Sequence, residues 1–311
     1  LADDPSLLRE PAGRASLLRL RQQQDHPNPW SALVPPGQAD PFRKRCHALI
    51  RGDEPIRVAL QGGLGDQLEM LALMAASPLA DRLEAIVPAA SAPALAPLLR
   101  RHQGLRLAKW QISTQPEASS WMSATALRCL LADHGLERPL QPMATHPAPA
   151  SKPNTLLCCW RSKWEAGGSL WAHQRSLNFG DIWRLYKALQ PQLQARGIRM
   201  VDITRYHAWE ARQLEHFRPW LELHDPSGGS LADLARRLQH AHLVLSVDTA
   251  LAHLALWHGW PIRLLLPLHP DPRWRHRHAP GLIKLHQRHY NRWPACLEQL
   301  QTSLADWLPT D

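Results

Sequence analysis

The sequence predicts an α/β protein made of two doubly wound parallel sheets. Three observations predict it. Apolar strand patterns alternate with helical ones from Ile56 onward, stop at a proline-rich stretch, and start again at Thr155. The first strand of the first half runs into a glycine turn, Gly62-Gly63-Leu64-Gly65. In the second half an apolar strand, Leu243 to Val247, ends at Asp248-Thr249, and a helix follows at once. In sheets of this kind ligands sit outside the carboxyl ends of the strands, so both turns stand where a site is expected.

Residues 1–50 are polar and broken by proline, with one short amphipathic helical pattern at Ala15 to Gln23, and read as an N-terminal extension. The first domain spans 51–138. Its strands are expected at Ile56 to Leu60, Leu83 to Val87 and Leu105 to Trp110. The helix at Gln67 to Ala76 carries Leu68, Leu71 and Met74 at helical spacing, and further helices are expected at Ala92 to Arg101 and Ser119 to His134. Residues 139–153 hold Pro139, Pro142, Pro147, Pro149 and Pro153 and form the linker.

The second domain spans 154–311. It restarts with strand Thr155 to Trp160, helix Phe179 to Arg196, strand Ile198 to Thr204 and helix His207 to Phe217. A short strand, Leu221 to Leu223, and a helix, Leu231 to Gln239, lead into the strand at Leu243. Ala250, Leu251, Leu254 and Ala255 then recur at helical spacing, and Pro261 to Leu268 is a second apolar strand. A crossover helix between two strands implies that they are parallel. A strand at Leu282 to Leu285 and a helix at Pro294 to Leu308 close the chain.

A chain of 311 residues has room for two such domains, and 44% hydrophobic with 20% charged residues is a globular composition. Trp, at 14, outnumbers Phe and Tyr at 3 each, and most of these indoles are expected in the core or in groove walls. Lys and Arg number 36 against 27 Asp and Glu, a net charge of +9, which favours an anionic partner. The stretch from Arg263 to Arg292 is especially basic, with Asp271 its only acid. Nothing resembles an RRM, zinc finger or basic zipper, so nucleic acid is not the expected partner.

Five cysteines without a C-x-x-C pair fit a reducing compartment, and Cys158-Cys159 read as buried thiols. The opening Leu1-Ala2-Asp3-Asp4 is acidic and no apolar segment follows, so no signal peptide is expected. No stretch approaches the ~20 apolar residues of a membrane span. A cytoplasmic location is expected, with room for peripheral contact at the inner face of a membrane. The spacings His276-x-His278 and His286-x-x-His289 lack Cys or acidic partners, and neither H-E-x-x-H nor D-x-D occurs, so no metal site is expected.

Two turns carry the chemistry. Gly62, Gly63 and Gly65 let the backbone bend sharply and approach a ligand without a Cβ in the way. A dinucleotide site would need a further glycine where Leu68 stands and an acid ending the second strand, which instead ends Ile86-Val87-Pro88. An NAD-linked oxidoreductase is therefore disfavoured, and the Lys-Ser/Thr of a P-loop is missing too. Asp66, before the expected helix, suits its cap and its dipole. At the second turn Asp248 or Thr249 is a natural N-cap, and the helix start offers unpaired amides at Ala250 and Leu251 to phosphate. His253 lies one turn in, on the face of Thr249. Lys163, after the strand at Thr155, and Arg175, before the next helix, are candidate phosphate contacts.

Asp248, Thr249, Ala252, His253, Leu254 and Ala255, followed by Pro261, Pro267, Asp271, Arg273 and Trp274, resemble the donor-binding segment of GT-B glycosyltransferases. The resemblance is to the family 9, heptosyltransferase-like enzymes and their TPR-associated relatives. Gly63-Leu64-Gly65-Asp66 matches the turn that in those enzymes presents a catalytic base, and Arg175-Ser176 matches their basic residue before the donor-domain helix. Asp225 and the segment 230–248 match as architecture. Leu256-Trp257 departs from the small pair usual in the family.

The resemblance implies two Rossmann-like domains facing a cleft. It implies a nucleotide-diphospho-sugar as co-substrate, with no cofactor and no metal. Thr249, the amides of Ala250 and Leu251, His253 and Arg175 or Lys163 would hold the diphosphate. Asp66 would take the proton of an acceptor hydroxyl on a glycan, a lipid-linked molecule or a protein. The alternative is a non-catalytic nucleotide- or carbohydrate-binding protein of the same fold.

Overall fold

Strand β1 (Ile56–Ala59) opens a sheet in which every pairing is parallel. The protein is described from a computed structural model, over residues 44, 48–101, 109–114, 122–136, 140, 154–162, 173–224, 230–274 and 277–307. By compactness the chain divides into two units. The first is Leu1–Gln141 with Asp271–Arg277, and the second is Pro142–Pro270 with His278–Asp311. The division falls within the predicted linker, and the second half of the sequence contributes Asp271–Arg277 to the first unit.

In the first unit β1 is followed by α1 (Leu64–Ala76), β2 (Leu83–Pro88), α2 (Ala92–Arg101), β3 (Lys109–Ser113), β4 (Met122–Ser123) and α3 (Ala124–Asp133). The strand order is β3-β2-β1-β4, with Val58 opposite Ala85 on one side and Met122 on the other. The chain winds outward from β1 through β3 and then returns to the far side of β1. That reversal opens a crevice at the carboxyl ends of β1 and β4, where doubly wound sheets take ligands. Helix α1 is buried without a break from Gln67 to Met74. Each fully buried Leu or Met there contributes roughly 1.5–3 kcal/mol by leaving water.

The second unit comprises β5 (Thr155–Cys159), α4 (Phe179–Ala195), β6 (Arg199–Asp202), α5 (Ala208–Leu214), β7 (Leu221–Leu223), α6 (Leu231–Leu238), β8 (Leu243–Val247), α7 (Ala250–Trp257), β9 (Ile262–Leu266), β10 (Leu282–His286) and α8 (Pro294–Trp307). All its pairings are parallel, in the order β10-β9-β8-β5-β6-β7. Counted from β5, this is the dinucleotide-fold order read from its far edge, and it reverses between β5 and β8. Strands β8 and β9 are buried at every position, which explains sequences that are apolar but for Ser246 and Arg263. Leu156, Ile182, Tyr186, Leu189, Phe217 and Leu245 lie at the heart of the core.

Several elements differ from the sequence reading: β6 ends at Asp202, short of Thr204, and β9 at Leu266, short of Leu268, and four others differ as follows. Helix α1 starts at Leu64, three residues early, because Gly63 serves as its N-cap. The predicted helix Ser119 to His134 contains a short strand first, β4, whose two residues pair with β1 before α3 begins. The third strand runs Lys109–Ser113, beyond the predicted end at Trp110. Helix α5 stops at Leu214, and Glu215–Phe217 tightens into a 3-10 turn ahead of Pro219. Leu256 and Trp257, the pair that departs from the family pattern, are both buried at the end of α7. The helix predicted at Ala15 to Gln23, the linker apart from residue 140, Lys163 and Asp225 lie outside the described residues. No described helix is long and apolar enough to cross a membrane.

Candidate functional site

The glycine turn of the first unit closes around Asp66. Gly62 has φ +80°, the left-handed region where a side chain is strained. A Cβ there would also lie 2.7 Å from Asp66 Oδ2. Gln67 ties the turn down, donating through Nε2 to the Gly62 carbonyl and to Ser91 Oγ, each at 2.9 Å. Asp66 is the third residue of α1, not the residue ahead of the helix. From there its Oδ2 accepts the Gly63 N–H at 2.8 Å, so the carboxylate does cap, reaching backward. Gly65 is the second residue of the helix, with its first turn.

The other oxygen has a partner the sequence reading did not assign. Arg273 Nη1 donates to Asp66 Oδ1 at 2.6 Å and to Glu69 Oε2 at 2.9 Å, while its Nη2 donates to Asp271 Oδ2 at 2.8 Å. Arg128 Nη2 meets the second oxygen of Glu69 at 2.9 Å. Burial works against the charge on Arg273, but the carboxylates of Glu69, Asp271 and Asp66 outweigh it and hold the guanidinium well above its ordinary value. The Asp66 side chain is 44% exposed and that of Glu69 only 4%. Asp66 is thus oriented at both oxygens while one face stays open. Arg277 lies over the buried Trp274 ring, 5.2 Å from its centroid.

In the second unit the reversal between β5 and β8 gathers the predicted donor residues. Asp248 follows β8 and is buried. Arg175 Nη1 donates to Asp248 Oδ2 at 3.2 Å, and His253 Nε2 stands 3.6 Å from Oδ1. Asp248 is therefore an ionic hub, not the cap of α7. Thr249 is the N-cap residue, yet its hydroxyl does not cap; it shares a hydrogen bond of 2.9 Å with Ser246 Oγ. Among the described residues the amides of Ala250 and Leu251 have no acceptor, whereas those of Ala252 and His253 bond to the Thr249 carbonyl. Arg175 Nε is buried and likewise has no acceptor among the described residues. His253 is buried beside Asp248. Arg175, Asp248, Thr249 and His253 lie together at a helix start of positive potential.

The second unit also holds buried polar groups to which the sequence assigns no role. Arg161 makes a bidentate pair with Glu210, 2.8 Å on each branch, and donates through Nε to the Leu177 carbonyl. Burial would push the Glu210 carboxyl up, but the hydrogen bonds and charge of Arg161 overrule it and hold it below the usual value. Behind β5, Asp202 accepts from Tyr186, from Tyr206 at 2.6 Å and from the Thr204 amide at 2.7 Å. Burial nevertheless raises the Asp202 carboxyl. Burial also pushes the Cys159 thiol up to about 12, so Cys159 is an inert core thiol, as read from the sequence.

The Ser162 amide donates to Ser176 Oγ at 3.0 Å, fixing the loop that carries Arg175. Arg273 is legible in the sequence as part of the Asp271-Arg273-Trp274 match, whereas Glu69, one turn after Asp66, carries no signal of its own. Nothing in the spacing signals Arg161 with Glu210 or the Asp202 network. Among the described residues, no three His, Cys, Asp or Glu side chains come together as metal ligands.

No protein-family model matches the sequence, and no curated protein matches it. Solved structures do match the fold. Escherichia coli heptosyltransferase WaaC, solved with ADP, aligns at a TM-score of 0.50 and 13% identity, over 81% of this chain and 99% of that one. The E. coli ADP-heptose LPS heptosyltransferase II aligns at 0.52 and 12% identity, over 82% and 100%. The likeness is one of fold: parallel α/β units of the GT-B type.

Proposed function

We propose that the protein is a glycosyltransferase that moves a sugar from a nucleotide-diphospho-sugar to an acceptor hydroxyl, with inversion and without a metal. One observation carries this reading. At the reversal between β5 and β8, Arg175 Nε and the amides of Ala250 and Leu251 are donors without acceptors among the described residues, at the end of the sheet where nucleotides bind.

In this reading the diphosphate takes those donors and the Thr249 hydroxyl. Asp248 keeps the Arg175 guanidinium in place, and His253 steadies Asp248 from the other side. As the bond from the anomeric carbon to the diphosphate breaks, charge grows on the leaving oxygen, and preorganised donors stabilise it. Arg175 and the helix start supply that positive potential. Asp66, oriented by Gly63 and Arg273, accepts the acceptor proton as the hydroxyl attacks from the opposite face. A single displacement inverts the anomeric centre. The acceptor is a glycan, lipid-linked or protein hydroxyl, and the reaction belongs in the cytoplasm or at the inner face of a membrane. Four described cysteines are free and buried, which suits a reducing compartment.

A second reading, a nucleotide-binding protein without turnover, is favoured by the Arg273–Asp66 ion pair, which occupies one oxygen of the base. The test is binding and turnover with ADP-, UDP-, GDP- and CDP-sugars in EDTA, ADP-heptose included. One nucleotide series should bind and turn over. Asp66→Ala should lower turnover by about 10²–10⁴-fold and leave binding intact. Binding without turnover supports the second reading, and folded protein that binds no nucleotide overturns both.

A further inference from the structure

The loop that carries Arg175 is tied to the end of β5 by a buried arginine that packing alone does not call for. Leu177, two residues after Arg175, is held on both sides. Its amide donates to the Trp160 carbonyl at 2.9 Å, and its carbonyl accepts Arg161 Nε at 3.1 Å. Ser176 accepts the Ser162 amide through Oγ at 3.0 Å and the Trp293 indole N–H through its carbonyl at 3.2 Å. Arg175 therefore precedes a fixed stretch of backbone, and its guanidinium is held by Asp248.

Arg161 is itself immobilised. Both branches of its fork meet Glu210 at 2.8 Å, and its guanidinium lies over the Tyr206 ring, 5.4 Å from the centroid. Glu210 also accepts the His207 amide at 3.0 Å, at the start of α5. Both members of the pair are buried. A buried ion pair gains little stability over apolar residues of the same volume, because two charges have left water. What it supplies is direction. A planar fork locked on a carboxylate points its remaining donor, Nε, along one line. Here that line ends on the Leu177 carbonyl.

We infer that Arg161 is a positioning residue for the donor site: through Leu177 it sets where Arg175 presents its Nε to the phosphates, with Glu210 as its anchor. The inference rests on the donor site proposed above. The donors of Arg161 are spent on Glu210 and Leu177, so its effect on binding runs through Arg175 and should vanish once the Arg175 guanidinium is removed.

The test is a double-mutant cycle, read by calorimetry with ADP, UDP, GDP, CDP and inorganic pyrophosphate. Arg161→Met combined with Glu210→Gln removes both charges together, so no buried ion is left unpaired, and a glutamine can still accept the His207 amide. With Arg175 present, this pair of substitutions should weaken pyrophosphate and the preferred nucleotide alike, by about 3- to 30-fold; in the Arg175→Ala background it should change neither. Arg161→Lys keeps the charge beside Glu210 but loses the fork, and should weaken binding in the same Arg175-dependent way. Each variant is titrated below its own melting temperature, so that a lost affinity is not a lost fold. Unchanged affinity in the folded variants, or the same loss with and without Arg175, overturns the inference and leaves the donor site standing. A wild type that binds neither nucleotide nor pyrophosphate overturns the donor site and the inference together.

Discussion

Arg273 and Asp66, 207 positions apart in sequence, are joined by a hydrogen bond of 2.6 Å between Nη1 and Oδ1. The same nitrogen reaches the buried Glu69, so one guanidinium orients the proposed base and neutralises the acid beneath it. Arg273→Met would remove one of the guanidinium groups paired with Glu69 and leave the ion pair with Arg128. Because that second partner stays at 2.9 Å, the loss should fall at the low end for a broken buried pair, about 3 kcal/mol. Urea unfolding measures it. Arg273→Lys should recover part of the loss, and an unchanged midpoint in Arg273→Met would show that the cluster adds no stability.

Two glycines separate strain from collision. Gly62 and Gly197 both have positive φ, +80° and +63°, but a Cβ at Gly197 meets nothing within 4 Å. Gly197→Ala should cost about 1–2 kcal/mol, the strain of the left-handed region alone. Gly62→Ala should cost more, because its methyl group meets the Asp66 carboxylate, and it should also lower turnover by moving that group. Equal losses in the two variants would show that the turn yields without disturbing Asp66.

Glu210 sets part of the acid limit of stability. Its folded carboxyl is held below its unfolded value of 4.5. Its contribution is therefore present above that value and is lost as pH falls through the lower, folded one. Glu210→Gln should unfold more readily at neutral pH, since it strands the buried Arg161 charge, at a cost of about 3–5 kcal/mol. Its stability should then fall less steeply than that of the wild type below about pH 4.5. Thermal unfolding across that range decides it, and parallel curves would remove Glu210 from the account.

Arg175→Ala should weaken nucleoside diphosphate binding by about 10- to 100-fold, the worth of a hydrogen bond to a charged group. It should also flatten the dependence of affinity on salt. Thr249→Ala, which removes a neutral hydroxyl, should cost about 2- to 10-fold. Calorimetry at two salt concentrations tests both, and unaltered affinity in Arg175→Ala would place the phosphates elsewhere.

Much of this was legible in the sequence, for physical reasons. Strands β8 and β9 are buried on both faces, so their apolar runs stood out. The glycine turn announced itself because Gly62 adopts a backbone conformation closed to most residues. Asp66 and Arg175 were found because each belongs to a local motif at a strand end. Glu69 and Arg128 were not, because a helix residue one turn from a motif looks like any other until its charge is seen to be buried. Arg273 was noticed as a matched letter, but its role depends on a contact across most of the chain. The sequence offers Asp248 or Thr249 as the cap, but the Thr249 hydroxyl bonds to Ser246, three residues earlier at the end of β8. Met122-Ser123 was taken into a helix because two residues are too few to show a strand period.

The assignment of Asp271–Arg277 to the first unit bears on how the gene can be dissected. The polypeptide passes between the units three times, after Gln141, Pro270 and Arg277. A recombinant fragment ending at Gln141 would contain Asp66 and Glu69 but no Arg273, and would bury Glu69 with half of its counter-charge missing. A fragment starting at Pro142 would carry Asp271–Arg277 as an insertion detached from its home unit. A dissection that keeps each unit whole would therefore carry the 271–277 segment together with the N-terminal half.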